Sequence, residues 1–308
     1  MVALGLIVLL ALVAGAVALV VVLVASLGRS PQPAAPAVAR AARRHESLVS
    51  VAAAVVSVAA TVGLLSLPVM PLSRGDGLRT STFAIGSATS PYLGAVVFCL
   101  VRALGERTWP RPRGAVRTAP LTRRTVRQTG GWRLVVLAGT VGAGLLAVLV
   151  CGATATPDGQ RVASPVVEGA DGSVTWGSAG PYPGWHYGVP VAIGLAAVAL
   201  AALLALRVLT RRPPLPLVAP AHDAEVRRVA AARLLAGAQL WTGIGVGFLL
   251  LFAALALRSA DHPAGAATAG VLGGALLLGS MAVAATAVRT TGPRPAAGRG
   301  AAVDGVPA

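Results

Sequence analysis

The sequence predicts an all-α integral membrane protein: a bundle of seven transmembrane helices, with the N-terminus outside and the C-terminus inside. Composition supplies the first observation, because 56% of the 308 residues are apolar and only 12% are charged. That charged share is about half the value usual in soluble domains. The mean hydropathy of +0.77 agrees. The last observation is a series of apolar runs, each long enough to cross about 30 Å of hydrocarbon.

Seven apolar runs are the predicted spans. They cover residues 2–27, 48–67, 83–104, 134–152, 189–206, 234–257 and 266–288. The first run carries no charge and is longer than the apolar core of a secretory signal, so we expect it to be retained as a span. Residues 1–288 are therefore predicted to form a single transmembrane domain. Residues 289–308, rich in Gly, Pro and Ala, are predicted to be a disordered cytoplasmic tail.

The placement of arginine orients the predicted bundle. All 26 basic residues are Arg, and seven spans place 22 of them inside and 4 outside. This is the bias expected of cytoplasmic loops. The third run is the weakest, and without it the later loops change sides, leaving 6 arginines inside against 20 outside. We therefore predict seven crossings, and we attribute the net charge of +16 to anionic lipid headgroups rather than to nucleic acid.

The extracytoplasmic loop predicted between helices 4 and 5, residues 153–188, has the pattern of a small β-hairpin. Residues 161–167 and 173–176 are short runs with strand-like composition. The dipeptide Asp171-Gly172 between them is a strong turn signal.

Aromatic residues gather in and after this hairpin, just before the fifth span. They are Trp176, Tyr182, Trp185, His186 and Tyr187. One interpretation is a ligand-binding lip at the outer mouth of the bundle. The other, which we favour, is an interfacial belt that anchors the fifth span at the membrane boundary.

Polar residues interrupt the third span at Ser87, Thr89, Ser90 and Pro91. They suit either a polar pathway through the membrane or packing through hydrogen bonds between helices. We favour packing. Small residues spaced four apart, Gly243 with Gly247 and Gly270 with Gly274, predict that the sixth and seventh spans cross closely.

The predicted cytoplasmic loop between spans three and four is the most basic segment. It contains Arg107, Arg111, Arg113, Arg117, Arg123, Arg124 and Arg127. We expect these side chains to contact lipid headgroups or a cytoplasmic partner.

Patterns typical of catalysis or cofactor binding are missing from the sequence. It contains no Walker-type loop, no G-x-S-x-G and no paired Cys/His spacing. Cys99 and Cys151 each lie within an apolar run, so we predict buried thiols rather than a disulfide. No Asp, Glu or His falls in the middle of a span, although ionisable groups at that depth are usual in proton-coupled transporters. We therefore expect no enzyme activity, no metal site and no cofactor.

The functional expectation follows from topology. Abundant Ala, Gly, Pro and Arg without any Lys is typical of a GC-rich bacterial genome. We expect a multi-pass bacterial plasma-membrane protein that serves as a non-enzymatic accessory or sensor-type subunit, with a membrane or cytoplasmic protein as partner. The alternative is a small-solute permease or the membrane subunit of an ABC-type exporter, because the third span is polar.

Overall fold

Six long helices form most of the described part of the chain. The computed structural model describes residues 37–66, 76–108, 125–168, 170–213 and 220–289. The helices are α1 (Ala37–Ser66), α2 (Asp76–Arg107), α3 (Val126–Thr154), α4 (Trp185–Arg211), α5 (Pro220–Ser259) and α6 (Pro263–Arg289). Each is long and apolar enough to cross a membrane, as expected of a multi-pass membrane protein. The first predicted span (2–27) and residues 290–308 of the predicted tail lie outside the described residues.

Helices α1 to α6 coincide with the second to seventh predicted spans, but most of them extend beyond those spans. The largest difference is at α5, which runs unbroken for 40 residues. The segment before the sixth predicted span is part of this helix, and Asp223 lies in its first turn. Ion pairs explain why α5 begins earlier than the predicted span. Because Asp223 and Arg233 are paired, these charged residues can be buried in the bundle and the helix continues through them.

The bundle has two ends of different character because successive helices alternate in direction. We call the end of the bundle where α1, α3 and α5 begin and α2, α4 and α6 end the arginine end. We name the loop end the opposite one, which carries residues 155–184 between α3 and α4. Contacts fix this pairing, since Glu46 early in α1 meets Arg102 late in α2, and Thr61 late in α1 meets Ser90 earlier in α2.

Helix α5 is the centre of the bundle, and it contacts each of the other five helices. Of the residues in the apolar stretch of α5, 67% are buried, against 22% in the apolar stretch of the peripheral helix α6. Every described residue from 230 to 247 is buried. Glycines allow close approach between α2 and α5 by facing an aromatic ring each: Gly94 faces Trp241, Gly245 faces Tyr92 and Gly237 faces Phe98.

Helix α3 begins with a capping box. The hydroxyl of Thr125 accepts a hydrogen bond from the Gln128 amide (3.2 Å), and the Gln128 side chain accepts one from the Thr125 amide (3.3 Å). The helix then kinks at Gly131, whose φ of 55° and ψ of −147° are accessible almost only to glycine. The short first turn therefore departs from the axis of the rest of α3.

The loop between α3 and α4 contains two short antiparallel ladders. Strand β1 (Val162–Ala163) pairs with β4 (Ser178–Ala179), and β2 (Val167–Glu168) pairs with β3 (Val174–Thr175). The first predicted strand is interrupted at Pro165, which has no amide hydrogen to donate. Ser164 bonds to Gly177, and Val167 pairs with Thr175. Between these two contacts the first strand advances by three residues and the second by only two. One extra residue on one strand is a β-bulge.

Candidate functional site

The most unusual feature of the structure is a carboxylate buried between two guanidinium groups at the arginine end. Glu46 of α1 accepts from Arg102 of α2 at 3.3 Å and from Arg233 of α5 at 3.0 Å. Only 3% of the Glu46 side chain is exposed. Charges leave water at a high cost, so an arrangement of this kind persists only where the hydrogen bonding is nearly complete.

Further contacts hold Arg102 in place. Its guanidinium donates to the hydroxyl of Ser50 and to the carbonyl of Ala230 (3.0 Å). The Ser50 hydroxyl in turn donates to the carbonyl of Glu46 (2.8 Å). We call Glu46, Ser50, Arg102 and Arg233 the Glu46 network. It joins three helices, and its two guanidiniums and one carboxylate leave it with a net positive charge.

Two other buried ion pairs tie α4 to its neighbours at the same end. Arg212, just past α4, donates to Glu106 of α2 at 3.0 Å. Arg227 of α5 donates to Asp223 at 2.9 Å and to the carbonyl of Leu209 in α4 at 3.1 Å. Helices α1, α2, α4 and α5 are therefore joined at the arginine end by hydrogen-bonded charges, as well as by apolar packing.

A second polar group lies deeper in the bundle, where α3, α5 and α6 meet. The amide nitrogen of Gln239 donates to Thr140 (2.8 Å) and to Ser280 (2.9 Å). Thr140 donates its own hydrogen to Val136, so its hydroxyl accepts from Gln239, and this sets the orientation of the amide. Within the described residues, the buried Gln239 carbonyl oxygen has no donor.

Arg133 continues this polar line toward the arginine end. It donates to Thr286 of α6 at 3.1 Å, and its guanidinium lies 4.6 Å from the centre of the Trp132 ring. Such an arginine–indole contact is a favourable cation–π arrangement.

The loop end is closed by ordered contacts. The hydroxyls of Tyr182 and Thr154 are 2.7 Å apart, and burial raises the pKa of Tyr182 to about 12. A side-chain nitrogen of His262, in the turn between α5 and α6, bonds to the carbonyl of Ala163 at 2.8 Å. Tyr182 and Val162 also pack against Ala260 in a small apolar core. The loop is therefore attached directly to the end of α5.

The five aromatic residues predicted at the outer mouth are dispersed. Trp176 is 83% exposed, whereas Tyr182 is buried. Trp185, at the start of α4, covers Gly152 of α3, and about half of the Trp185 side chain is exposed. The rings of His186 and Tyr187 meet edge to face at 4.8 Å. Only the residues at the start of α4 lie side by side.

The polar residues of the third predicted span bond mainly within their own helix. Thr89 donates to Ile85 (2.8 Å), and Ser90 donates to the carbonyl of Ser87 (3.1 Å). That carbonyl is the one that Pro91 leaves without its usual helical donor. Thr61 of α1 donates to the Ser90 carbonyl at 3.4 Å, so part of this set also joins α1 to α2.

The predicted glycine pairs differ from one another. Gly243 and Gly247 of α5 face α6 closely, against Ser280 and Leu277 respectively. Gly270 has only Ala254 near it, and no described atom lies within 4 Å of a side chain built at Gly274. In the basic loop, Arg107 and Arg127 are exposed. The other five, Arg111, Arg113, Arg117, Arg123 and Arg124, lie outside the described residues.

Comparison with protein-family models, curated proteins and solved structures finds no match to this chain. Its function must therefore be inferred from its own geometry.

Sequence reasoning missed the Glu46 network and Gln239. Glu46 was assigned to a loop because hydropathy falls there, and Gln239 carries no charge to mark it. One signal was present for Glu46. At helical spacing it continues a stripe of small and hydroxyl residues in α1, which are all buried: Ser50, Ala53, Ser57 and Thr61. The thiols of Cys99 and Cys151 are free and buried, which confirms the prediction for both.

Proposed function

We propose that this protein is a non-enzymatic, multi-pass subunit of the bacterial plasma membrane with an accessory or sensor-type role. One observation supports the proposal most directly. The central helix α5 is enclosed by the other described helices, contacts the ordered loop at one end, and contacts the Glu46 network at the other. A single rigid element therefore connects a folded loop on one side of the membrane to buried charges near the other.

Contacts at the loop end allow α5 to respond to the loop. His262 and Ala260 follow α5 immediately and bind residues of β1 and its surroundings. A ligand or protein that displaces this loop would pull on the end of α5. Because a packed helix transmits axial shifts along its length, the arginine end would experience the same displacement.

Exposed charge at the arginine end suits an acidic partner. The carboxylates Glu46, Glu106 and Asp223 are all turned inward to arginines. Arg44 and Arg228 remain exposed. Exposed arginines give this end of the bundle a positive potential, which favours an acidic protein surface.

The packing of the bundle argues against a transport pathway along the third predicted span. The hydroxyls of Thr89 and Ser90 donate to carbonyls within α2, and the Ser90 carbonyl accepts from Thr61. Tyr92, Phe98 and Trp241 fill the space between α2 and α5. These large rings leave the polar side chains facing helix backbone rather than a channel.

The proposal is tested by reversing charge at the arginine end. Arg44→Glu with Arg228→Glu should abolish copurification of a membrane or cytoplasmic protein that the wild type retains at fixed stoichiometry, with unchanged helical content. Arg258→Glu, at the loop end, is the matched control and should retain that protein. If wild-type protein in liposomes instead passes solutes above the rate of empty liposomes, and retains no partner, the proposal is wrong.

The second candidate is a small-solute permease, and the observation that favours it is the polar group at Gln239. A buried amide oxygen without a described donor could receive a solute hydroxyl or amide. In that case Gln239→Leu should abolish solute flux in proteoliposomes. If the protein is a sensor, the wild type passes no solute, so wild type and Gln239→Leu should both match empty liposomes.

A further inference from the structure

Arg133 of α3 differs from the other buried arginines in its lack of an ion pair. Five of the described arginines are buried, and four of them pair with a carboxylate: Arg102, Arg212, Arg227 and Arg233. Arg133 is only 9% exposed, yet no described carboxylate pairs with it, and its Nε has no described acceptor. Arginines within membrane proteins usually pair with an acidic group. The counter-charge of Arg133 is therefore to be sought outside the described chain.

The Arg133 side chain crosses a groove between α3 and α6. Both helices pack on α5, but they make little contact with each other. Two side chains bridge them: Arg133 reaches Thr286 at 3.1 Å, and the amide nitrogen of Gln239 lies between Thr140 and Ser280. Because seven residues of helix rise about 10 Å, Arg133 lies about that far from Thr140, toward the arginine end. Helix α5 therefore forms the floor of the groove, and Arg133 spans it near one end.

A glycine lies on each wall of this groove. In α6, Gly279 is two turns before Thr286 and so lies on the same flank, which is the one that Arg133 reaches. In α3, Gly139 directly precedes Thr140, whereas Val148, which contacts α4, is eight residues after it. Helical spacing places Gly139 and Val148 about 180° apart on either side of Thr140. Gly139 is therefore on the flank of α3 that is turned away from α4.

Both wall glycines are exposed and have open space around them. No described atom of another helix lies within 4 Å of a side chain built at either position. They lie at the same depth, because their neighbours Thr140 and Ser280 share the Gln239 amide. Glycine inside an exposed helix is less favourable than alanine, so its usual benefit in a membrane is the close approach of another helix. Ala143, one turn after Gly139, completes a pair of small residues on that flank.

We propose that a transmembrane helix of a partner protein lies over this groove and supplies a carboxylate to Arg133. Charge selects the occupant, because the groove contains a buried cation without a described counter-charge. An Asp or Glu about two turns from the crossing at the glycines would reach the guanidinium. Residues 290–308 are a poorer source, since they carry Arg294 and Arg299 against Asp304 alone. The inference rests on the proposed accessory role and adds the surface and the chemistry that hold a membrane partner.

The probe for this groove is a synthetic transmembrane peptide. It is a Leu-Ala helix with a Gly-Ala patch at its centre and one Glu two turns from that patch. Energy transfer from the tryptophans of the full-length protein to a dansyl group on the peptide measures binding in phosphatidylcholine vesicles. The Glu peptide should bind about tenfold more tightly than the same peptide with Gln, because only a carboxylate neutralises Arg133. With Arg133→Gln, the two peptides should bind alike.

Glycine variants test the surface without a change of charge, and they decide the question even if Arg133→Gln does not fold. Gly139→Leu and Gly279→Leu should each weaken the binding of both peptides about fivefold, because leucine keeps the backbones apart. Gly274→Leu is the matched control and should bind as the wild type does. Gly274 also has open space, but it lies about 140° from Gly279 around α6. Helical content and thermal unfolding identify any variant that misfolds.

Several results would overturn the inference. One is equal binding of the Glu and Gln peptides to the wild type. Loss of the preference for Glu when phosphatidylglycerol is added would mean that a lipid headgroup neutralises Arg133. A several-fold gain in Glu-peptide binding with Asp304→Asn would assign the counter-charge to the chain's own tail. Wild-type dimers that Gly139→Leu dissociates in the absence of peptide would mean that a second copy covers the groove.

The outcomes also separate this inference from the proposed function. Arg44→Glu with Arg228→Glu changes residues outside the groove, so this variant should lose the acidic partner and still bind the Glu peptide. No preference for the Glu peptide, while the wild type still retains a partner, would reject the groove alone. Solute flux without a retained partner would reject the accessory role, whatever the peptide does.

Discussion

Among single residues, we expect the carboxylate of Glu46 to affect the stability of the fold most. Replacing a buried ion pair with apolar groups is often harmless, but removing one partner leaves an uncompensated charge. Here one carboxylate serves two guanidiniums, on Arg102 and Arg233. Loss of that one group would strand two buried cations at once.

We expect Glu46→Gln to lower the free energy of unfolding by about 3–5 kcal/mol, because Arg102 and Arg233 would lose their counter-charge. Reversible unfolding in mixed micelles measures this. Glu225→Gln removes the same charge from α5 at a half-buried position and should change stability by about 0.5 kcal/mol or less. Equal effects of the two changes would show that Glu46 is not buried in an ion pair.

Asp158, in the loop between α3 and α4, provides a pH-dependent contact. The Thr156 hydroxyl, followed by the Gln160 amide, holds the pKa of Asp158 below its ordinary value. A lowered folded-state pKa means that this turn is stabilised above the unfolded pKa, about 3.9, and loosens as pH falls through the lower folded value.

Carbon NMR of the Asp158 carboxyl should therefore give a midpoint below the ordinary Asp value. Thr156→Val should raise that midpoint, since it removes the hydroxyl donor that lowers the pKa of Asp158 most. Asp171 is an internal control, because its pKa is lowered by Ser173 and it should not respond to Thr156→Val. An unchanged Asp158 midpoint in the variant would disprove the contact.

At the scale of helices, the direction of burial is set by the membrane. In α1 the small and polar side chains Ser57 and Thr61 are buried, while Val55 and Val62 are exposed. Lipid is as apolar as valine, so close packing and hydrogen bonds, rather than hydrophobicity, decide which face turns inward. This pattern is readable from sequence once a span is known, and it would have indicated the face that carries Glu46.

The crossing of α5 and α6 tests the glycine prediction. Gly243→Ala should destabilise the protein by about 1–3 kcal/mol, because the added methyl group would collide with Ser280. Gly274→Ala, on α6, has open space and should be neutral or stabilising by up to about 1 kcal/mol through helix propensity. Unfolding of both variants in detergent is the measurement, and similar losses would contradict the crossing geometry.

The whole molecule is organised around α5, a helix that no sequence feature marked as central. Its mean composition resembles that of its neighbours, and its position follows from contacts with all five of the other helices. Sidedness, by contrast, rests on the sequence argument from arginine.

Reporter fusions test sidedness for the whole chain. A reporter inserted at His262 should be active outside, and one following Arg212 should be active inside, because the arginine end is predicted to be cytoplasmic. A reporter at the N-terminus should also be active outside if residues 2–27 form a seventh span. Activity of the N-terminal reporter on the inside would limit the protein to six crossings.

Local composition alone determined where the helices of the described chain lie, since partition of an apolar stretch into a bilayer depends on that stretch itself. It also located the long loop between α3 and α4 and the buried, unpaired state of both cysteines. Only the tertiary structure decided which helix is central and which charges meet. Arg233 is 187 residues from Glu46 in the chain. Pairing across such a distance depends on how several helices pack together, and no local pattern encodes it.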